Sequence, residues 1–156
     1  MIDKEELLTL VPHRGKMMML DRIIKYNIHE KSIEAEYDIT EDCLFYSSKE
    51  EGVPSWVGFE FIAQAISAFI GIRDREYGIP PKEGYILGIS QMKIGLPFLR
   101  KNSIILIKSR ELEGMHPVYV FEGEIRLNGQ EVLSGKITVM EVSEEHKNGK
   151  GNQEIE

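Results

Sequence analysis

The middle of this chain, GVPSWVGFEFIAQAISAFIGIRDREYG from Gly52 to Gly78, holds a run that is apolar on almost every side from Trp56 to Ile72. A helix with that composition is buried all round, so the rest of the chain must wrap it. At 100° per residue, Glu60, Gln64, Ser67 and Gly71 fall within an arc of roughly 60° and give the helix one narrow polar seam. Ser55 is placed to cap its start and Pro54 to occupy a turn or first-turn position. Arg73 and Arg75 complement the dipole at its end, where Gly78, Pro80 and Pro81 stop it.

A membrane span does not fit this run. It falls short of about 20 residues and carries Glu60 and Gln64 in its middle. In a buried soluble helix, Glu60 is the residue to explain. A carboxyl group taken out of water either finds a partner or holds its proton more tightly, and the second property suits a general acid or base. A structural Glu bonded to backbone, or placed at a wet interface, is the other reading.

With 156 residues and 42% hydrophobic content, the chain suits one domain around one core, expected over residues 1–142. Its net charge of −7 argues against general binding to nucleic acid or anionic membrane. The single Cys43 excludes an intramolecular disulfide and a cysteine-rich metal site, and it fits a reducing, cytoplasmic setting. His13, His29, His116 and His146 lack ligand spacing, so no metal is expected, and no phosphate-binding loop or other cofactor motif is present. The start, MIDKEELLTLV, is too acidic for a secretory signal and reads as mature.

Asp3 is expected to cap a short helix through Leu7 and Leu10, which Pro12 closes, leaving His13 and Arg14 on a turn. MMMLDRIIKY reads as a strand, and Ile33, Ala35, Tyr37 and Ile39 alternate with polar residues as its partner with one wet face. Thr40–Val53 is a loop ahead of the long helix. After the helix, Tyr85–Met92 reads as a strand and IGLPFLRKN as a proline-interrupted edge or bend. SIILIKSREL and VYVFEGEIRL follow, separated by a turn at Gly114–Pro117, and Asn128-Gly129 joins the second to QEVLSGKITVMEV as a hairpin. Gly123 and Gly135, mid-strand, mark a bend or a close backbone approach. Residues 143–156, SEEHKNGKGNQEIE, have almost nothing to bury and are expected to form a disordered acidic and polar tail. About six antiparallel strands and one buried helix have an economical joint solution in an α+β domain whose sheet curls around the helix, the hotdog arrangement. Its open edge and remaining apolar surface call for a dimer.

Two motifs carry a family resemblance. Leu10-Val11-Pro12-His13-Arg14 with Met17–Arg22 resembles the opening LPHR…LLVDR of the hotdog-fold 3-hydroxyacyl-acyl carrier protein dehydratases. Pro54, Glu60 and Gln64 resemble that family's helix signature PGVxxxEAxAQ. Pro97-Phe98 is similar to its proline-rich bend, so the resemblance spans about residues 5–142. The form GVPSWVGFEFIAQA looks closest to a divergent branch associated with aryl polyene gene clusters.

The resemblance implies dehydration of 3-hydroxyacyl thioesters on acyl carrier protein or coenzyme A, in fatty acid or polyene-type lipid synthesis. It implies Glu60 as a catalytic residue and Ser55, Trp56, Val57, Gly58 and Gln64 as substrate-binding positions. Ser55 stands where the family has a glycine whose N–H polarises the thioester carbonyl. The family's catalytic histidine belongs to a motif just before the helix, and Phe45–Gly52 contains none. His13 is then the histidine whose surroundings match, either as a catalytic group or as a buried, hydrogen-bonded turn residue. Tyr46, Ser47 and Ser48 are the hydroxyls left if it is not catalytic. Trp56, Phe59 and Phe61 read as core or as acyl-tunnel lining. Arg14, Lys16, Arg100 and Lys101 are candidate contacts for an acidic carrier, or plain solvated charges. Three functions stay open: a dehydratase, a thioesterase, or a non-catalytic acyl-binding subunit paired with a second hotdog protein. The assembly is expected to be a homodimer or an oligomer of dimers.

Overall fold

The computed structural model describes residues 1–80, 82 and 84–142. Pro81 of the expected helix stop and the expected tail at 143–156 lie outside them. The element order is α1 (Lys4–Leu7), β1 (Arg22–Asn27), β2 (Ser32–Asp38), β3 (Gly52–Pro54), α2 (Gly58–Arg75), β4 (Gly84–Ile94), β5 (Phe98–Arg100), β6 (Ile104–Met115), β7 (Val118–Leu127) and β8 (Gln130–Glu141). Six strands form an antiparallel sheet in the order β1-β2-β6-β7-β8-β4, and β3 pairs with β5 separately. The alternating sequence of β2 appears as strictly alternating burial, and its inward side chains face α2.

The helix sits where the sheet has no side chains to keep it away. Gly123 and Gly135 are directly opposed on β7 and β8. A methyl group on Gly123 would strike Ile62, and one on Gly135 would lie 2.9 Å from the Phe59 ring. Around this contact Phe61 packs on Tyr37 at 5.0 Å between ring centroids, and Phe69 meets Phe121 edge-on at 6.3 Å. The outer face of the sheet carries rows of opposite charge, among them Glu34–Lys108 at 3.3 Å and Arg110–Glu122 at 2.9 Å. Exposed pairs of this kind contribute at most about 1 kcal/mol each, so the helix-side core holds the fold.

Several local expectations change on contact with the structure. Ser55 does not cap the helix: residues Ser55–Val57 form a 3-10 turn, α2 begins at Gly58 without a side-chain cap, and the Ser55 hydroxyl is buried with no partner. Met17–Leu20 is not strand, because its backbone bonds to the helix instead of to a neighbouring strand. The turn expected over Gly114–Pro117 narrows to His116-Pro117, since β6 runs on to Met115. Asp3 does cap α1, accepting from Glu6 N at 2.9 Å. Gly78, at φ +69°, does end α2, letting Ile79 N–H reach back to Asp74 O at 3.1 Å. The Asn128-Gly129 hairpin has both residues at positive φ, as a two-residue turn of the mirror type needs.

The edge strand β4 is exposed along nearly its whole length, with Tyr85, Ile86, Leu87, Met92 and Ile94 open to solvent on this protomer. The helix Ser55–Arg75 is long and apolar enough to cross a membrane by composition, but most of it is buried inside the fold. The chain before β1 crosses that helix at Gly71, where any side chain would strike the Leu10 carbonyl. Gly71→Ala is therefore expected to lower the unfolding free energy by about 1–3 kcal/mol in denaturant titration. Unchanged stability would mean that this crossing is not close-packed.

Candidate active site

The seam of α2 is covered by residues 10–19, which run along it as a strap. Gln64, buried in the helix, holds the strap through its amide. Its Oε1 accepts from Met19 N at 2.7 Å, and its Nε2 donates to Met17 O at 2.7 Å and to Glu60 Oε1 at 3.2 Å. The Arg14 guanidinium closes the turn just before, donating to the carbonyls of Leu8, Val11 and His13 at 2.9, 2.8 and 2.7 Å. His13 lies inside the turn that Arg14 closes, with its own carbonyl bonded to that guanidinium, which leaves its backbone little freedom.

His13 and Glu60 line one cavity of about 570 Å³. Ala63, Ile66 and Ile70 of α2 and Ile86, Val139 and Met140 of the sheet form its apolar walls. Glu60 is half-buried, with Gln64 as its hydrogen-bond partner. Burial holds the His13 imidazole below its ordinary value of 6.5, while the Glu60 carboxylate pulls it up and Arg14 pushes it down. The ring is therefore neutral near pH 7 and able to accept a proton. Its Nδ1 is buried without a hydrogen-bond partner. A buried ring nitrogen without a partner is uncommon, and here it belongs to a residue that lines the cavity.

The other expected binding positions do not join this pair. Ser55 N–H, matched to the family's carbonyl-polarising donor, instead donates to Pro97 O at 3.0 Å. Val57 is buried in the core, and a methyl group on Gly58 would lie 2.5 Å from Ile125, so these two positions pack the fold. Trp56 is neither core nor lining of this cavity: it is 58% exposed and meets Phe45 with tilted rings at 5.9 Å between centroids. Phe59 and Phe61 are core. Gln64 spends its amide on the strap and Glu60. In the pre-helix loop, Ser47 bonds Gly52 and Glu50, within a local turn. None of Tyr46, Ser47 and Ser48 is among the residues lining the cavity.

Of the expected carrier contacts, Arg14 is tied into its turn. Arg100 donates to Glu50 O and lies over the Phe98 ring, and Lys101 pairs with Glu41 at 3.0 Å and Glu51 at 3.9 Å. Lys16 is exposed. At the opposite end of the cavity, Lys82, Gly84, Tyr85 and Glu141 complete the lining. The sequence marked none of these as site residues, because they reach the cavity only through the β4–β8 pairing, in which Gly84 opposes Glu141.

A family profile described as ApeP-like, ApeP dehydratase, matches residues 5–149. The 3-hydroxyacyl-[acyl-carrier-protein] dehydratase FabZ of Chlamydia trachomatis serovar L2 is 26% identical over 111 residues, covering 67% of this chain and 69% of that protein. Its counterpart from Chlamydia pneumoniae is 32% identical over 74 residues, 46% of this chain and 48% of the relative. Among solved structures, the dehydratase heterocomplex ApeI:P from Xenorhabdus doucetiae superposes with a TM-score of 0.84 at 21% identity, covering 94% of this chain and 97% of that one. A hypothetical thioesterase protein with coenzyme A from Streptococcus pneumoniae TIGR4 gives a TM-score of 0.58 at 13% identity, covering 78% and 85%. The fold is the hotdog fold.

The depressed His13 value gives a pH prediction with a definite sign. Between the folded midpoint and 6.5 the unfolded chain binds the proton first, so this group costs stability as pH falls through 6.5 and costs none above it. An NMR titration is expected to place the His13 midpoint below 6.5, and Glu60→Gln to move it lower still, since the carboxylate raises it. A midpoint at or above 6.5 would contradict the burial described here.

Proposed function

The chain belongs to the ApeP-like dehydratase family, and from that premise we propose that it removes water from 3-hydroxyacyl thioesters carried on acyl carrier protein. The setting is fatty acid or polyene-type lipid synthesis in the cytoplasm. The observation that supports this reading most is a neutral imidazole and a carboxyl group facing one cavity with apolar walls. His13 accepts the α-proton as the C–H bond breaks. The reacting form of the pair holds one proton, on the Glu60 carboxyl group; the C–H electron pair forms the α,β double bond, and the β-hydroxyl leaves as water with that proton. Transfer of the proton from the imidazolium to the carboxylate then resets the pair. Gln64 keeps Glu60 turned toward the cavity.

The open β4 edge supports association through that strand, and a protomer paired there would close the side of the cavity formed by Tyr85 and Ile86. The partner is a second copy of this chain or, as the heterocomplex of the Xenorhabdus relative suggests, a second hotdog subunit. One observation favours a different reading, in which this chain is a non-catalytic acyl-binding subunit of such a pair. Ser55 N–H, the thioester-polarising donor that the resemblance implies, is already bonded to Pro97. The thioesterase neighbour keeps hydrolysis as a third outcome.

Mass spectrometry of 3-hydroxyacyl-carrier substrates separates the three. The purified protein, alone or co-expressed with a second hotdog subunit, is expected to produce the dehydrated acyl carrier, not the free carrier that hydrolysis would give. Glu60→Gln is expected to cut this turnover on the order of a hundredfold with the fold intact. Dehydration that survives Glu60→Gln unchanged would move the chemistry to the partner subunit.

A further inference from the structure

We propose that Lys82 and Glu141 form the end wall of the His13–Glu60 cavity and set the longest apolar acyl chain that it accepts. This rests on the acyl-thioester reading above. Glu60 lies in the first turn of α2, and the cavity follows the helix past Ile66 to Ile70 and Gly71. From Glu60 to Ile70 the helix rises about 15 Å. A chain laid along this path meets Ala63, Ile66 and Ile70 on the helix side, with Ser67 as a hydroxyl among them.

The path ends on charge. Lys82 Nζ lies 3.7 Å from Glu141 Oε2 and 3.8 Å from Asp74 Oδ2, and both carboxylates belong to buried residues. Glu141 is held from behind by Arg73 at 3.4 Å and approached by His116 Nδ1 at 3.3 Å. Its strand position is fixed by pairing with Gly84. The wall is therefore anchored on β8 and just ahead of β4, and Lys82 lines the cavity with 28% of its side chain exposed.

An acyl terminus growing toward this wall first gains and then loses. Each methylene buried between Ile66, Ile70, Ile86 and Val139 raises affinity about fourfold. The first methylene to touch Lys82 removes water from an ammonium group and offers no hydrogen bond in return, which costs more than the added apolar contact gains. Affinity should therefore climb with chain length, break and fall.

Calorimetric binding of saturated acyl-pantetheine amides of increasing length, which have no hydroxyl to eliminate and resist hydrolysis, reads this profile directly. The wild-type protein is expected to show about fourfold tighter binding per methylene up to a break, then at least a tenfold loss within two further carbons. Lys82→Met should move the break at least two carbons longer and leave the shortest chain within twofold. Lys82→Gln, which removes the charge and keeps a polar end, serves if Lys82→Met does not fold. The same break in wild type and variant, no break at all, or no binding of any chain would each overturn the assignment. Dehydration of a short 3-hydroxyacyl substrate, measured alongside, judges the proposed reaction separately. Turnover without a length break sinks the end wall alone, and a length break without turnover sinks the reaction alone.

Discussion

The contact between the Gln64 amide and the strap is what the site depends on. An amide buried in an apolar helix must use its hydrogen-bonding groups, and here they reach Met17 O, Met19 N and Glu60 Oε1. One side chain thus fixes the carboxylate and the segment that carries His13. Gly71 lets the other end of the strap lie directly on the helix, because any side chain there would strike Leu10. Leaving the strap's buried backbone groups unpaired would cost about 1–3 kcal/mol each, so the strap cannot drift off the seam cheaply.

The same economy explains the sheet. The opposed glycines Gly123 and Gly135 let α2 settle on β7 and β8, and the large apolar side chains of the helix then fill the space toward β2 and β6. That placement covers the inner face of the sheet and leaves β4 with side chains open on this protomer. The cavity borders that strand, so a partner docked on β4, as proposed, would also close the site.

Much of this was legible in the residues. Alternation marked β2, Asn128-Gly129 marked the last hairpin, and a run apolar on almost every side marked α2. The polar seam pointed to Glu60 and Gln64, and the resemblance of the strap's motif to the dehydratases pointed to His13, with a structural turn residue as its other reading. What failed did so for physical reasons. Ser55 has a capping residue's chemistry, but the 3-10 turn removes the geometry that a cap requires. Met17–Leu20 has a strand's composition because it is buried, yet its partner is a helix side chain, which no strand pattern encodes. Trp56 has core chemistry in an exposed place, against the tilted ring of Phe45. The wall of Lys82 and Glu141 depends on which strand lies beside β8, and local sequence does not carry that pairing.

The central claim is that His13, held on the strap, does the work that the family's pre-helix histidine would do. The pH dependence of kcat/KM for 3-hydroxyacyl-carrier dehydration, measured in wild type and in folded His13→Ala, tests it most directly. The account predicts a wild-type acid limb with its midpoint below 6.5, where the imidazole gains its proton, and a loss of well over tenfold in His13→Ala. Wild-type turnover with an unchanged acid limb in His13→Ala would contradict it and assign the base to another residue or to a partner subunit.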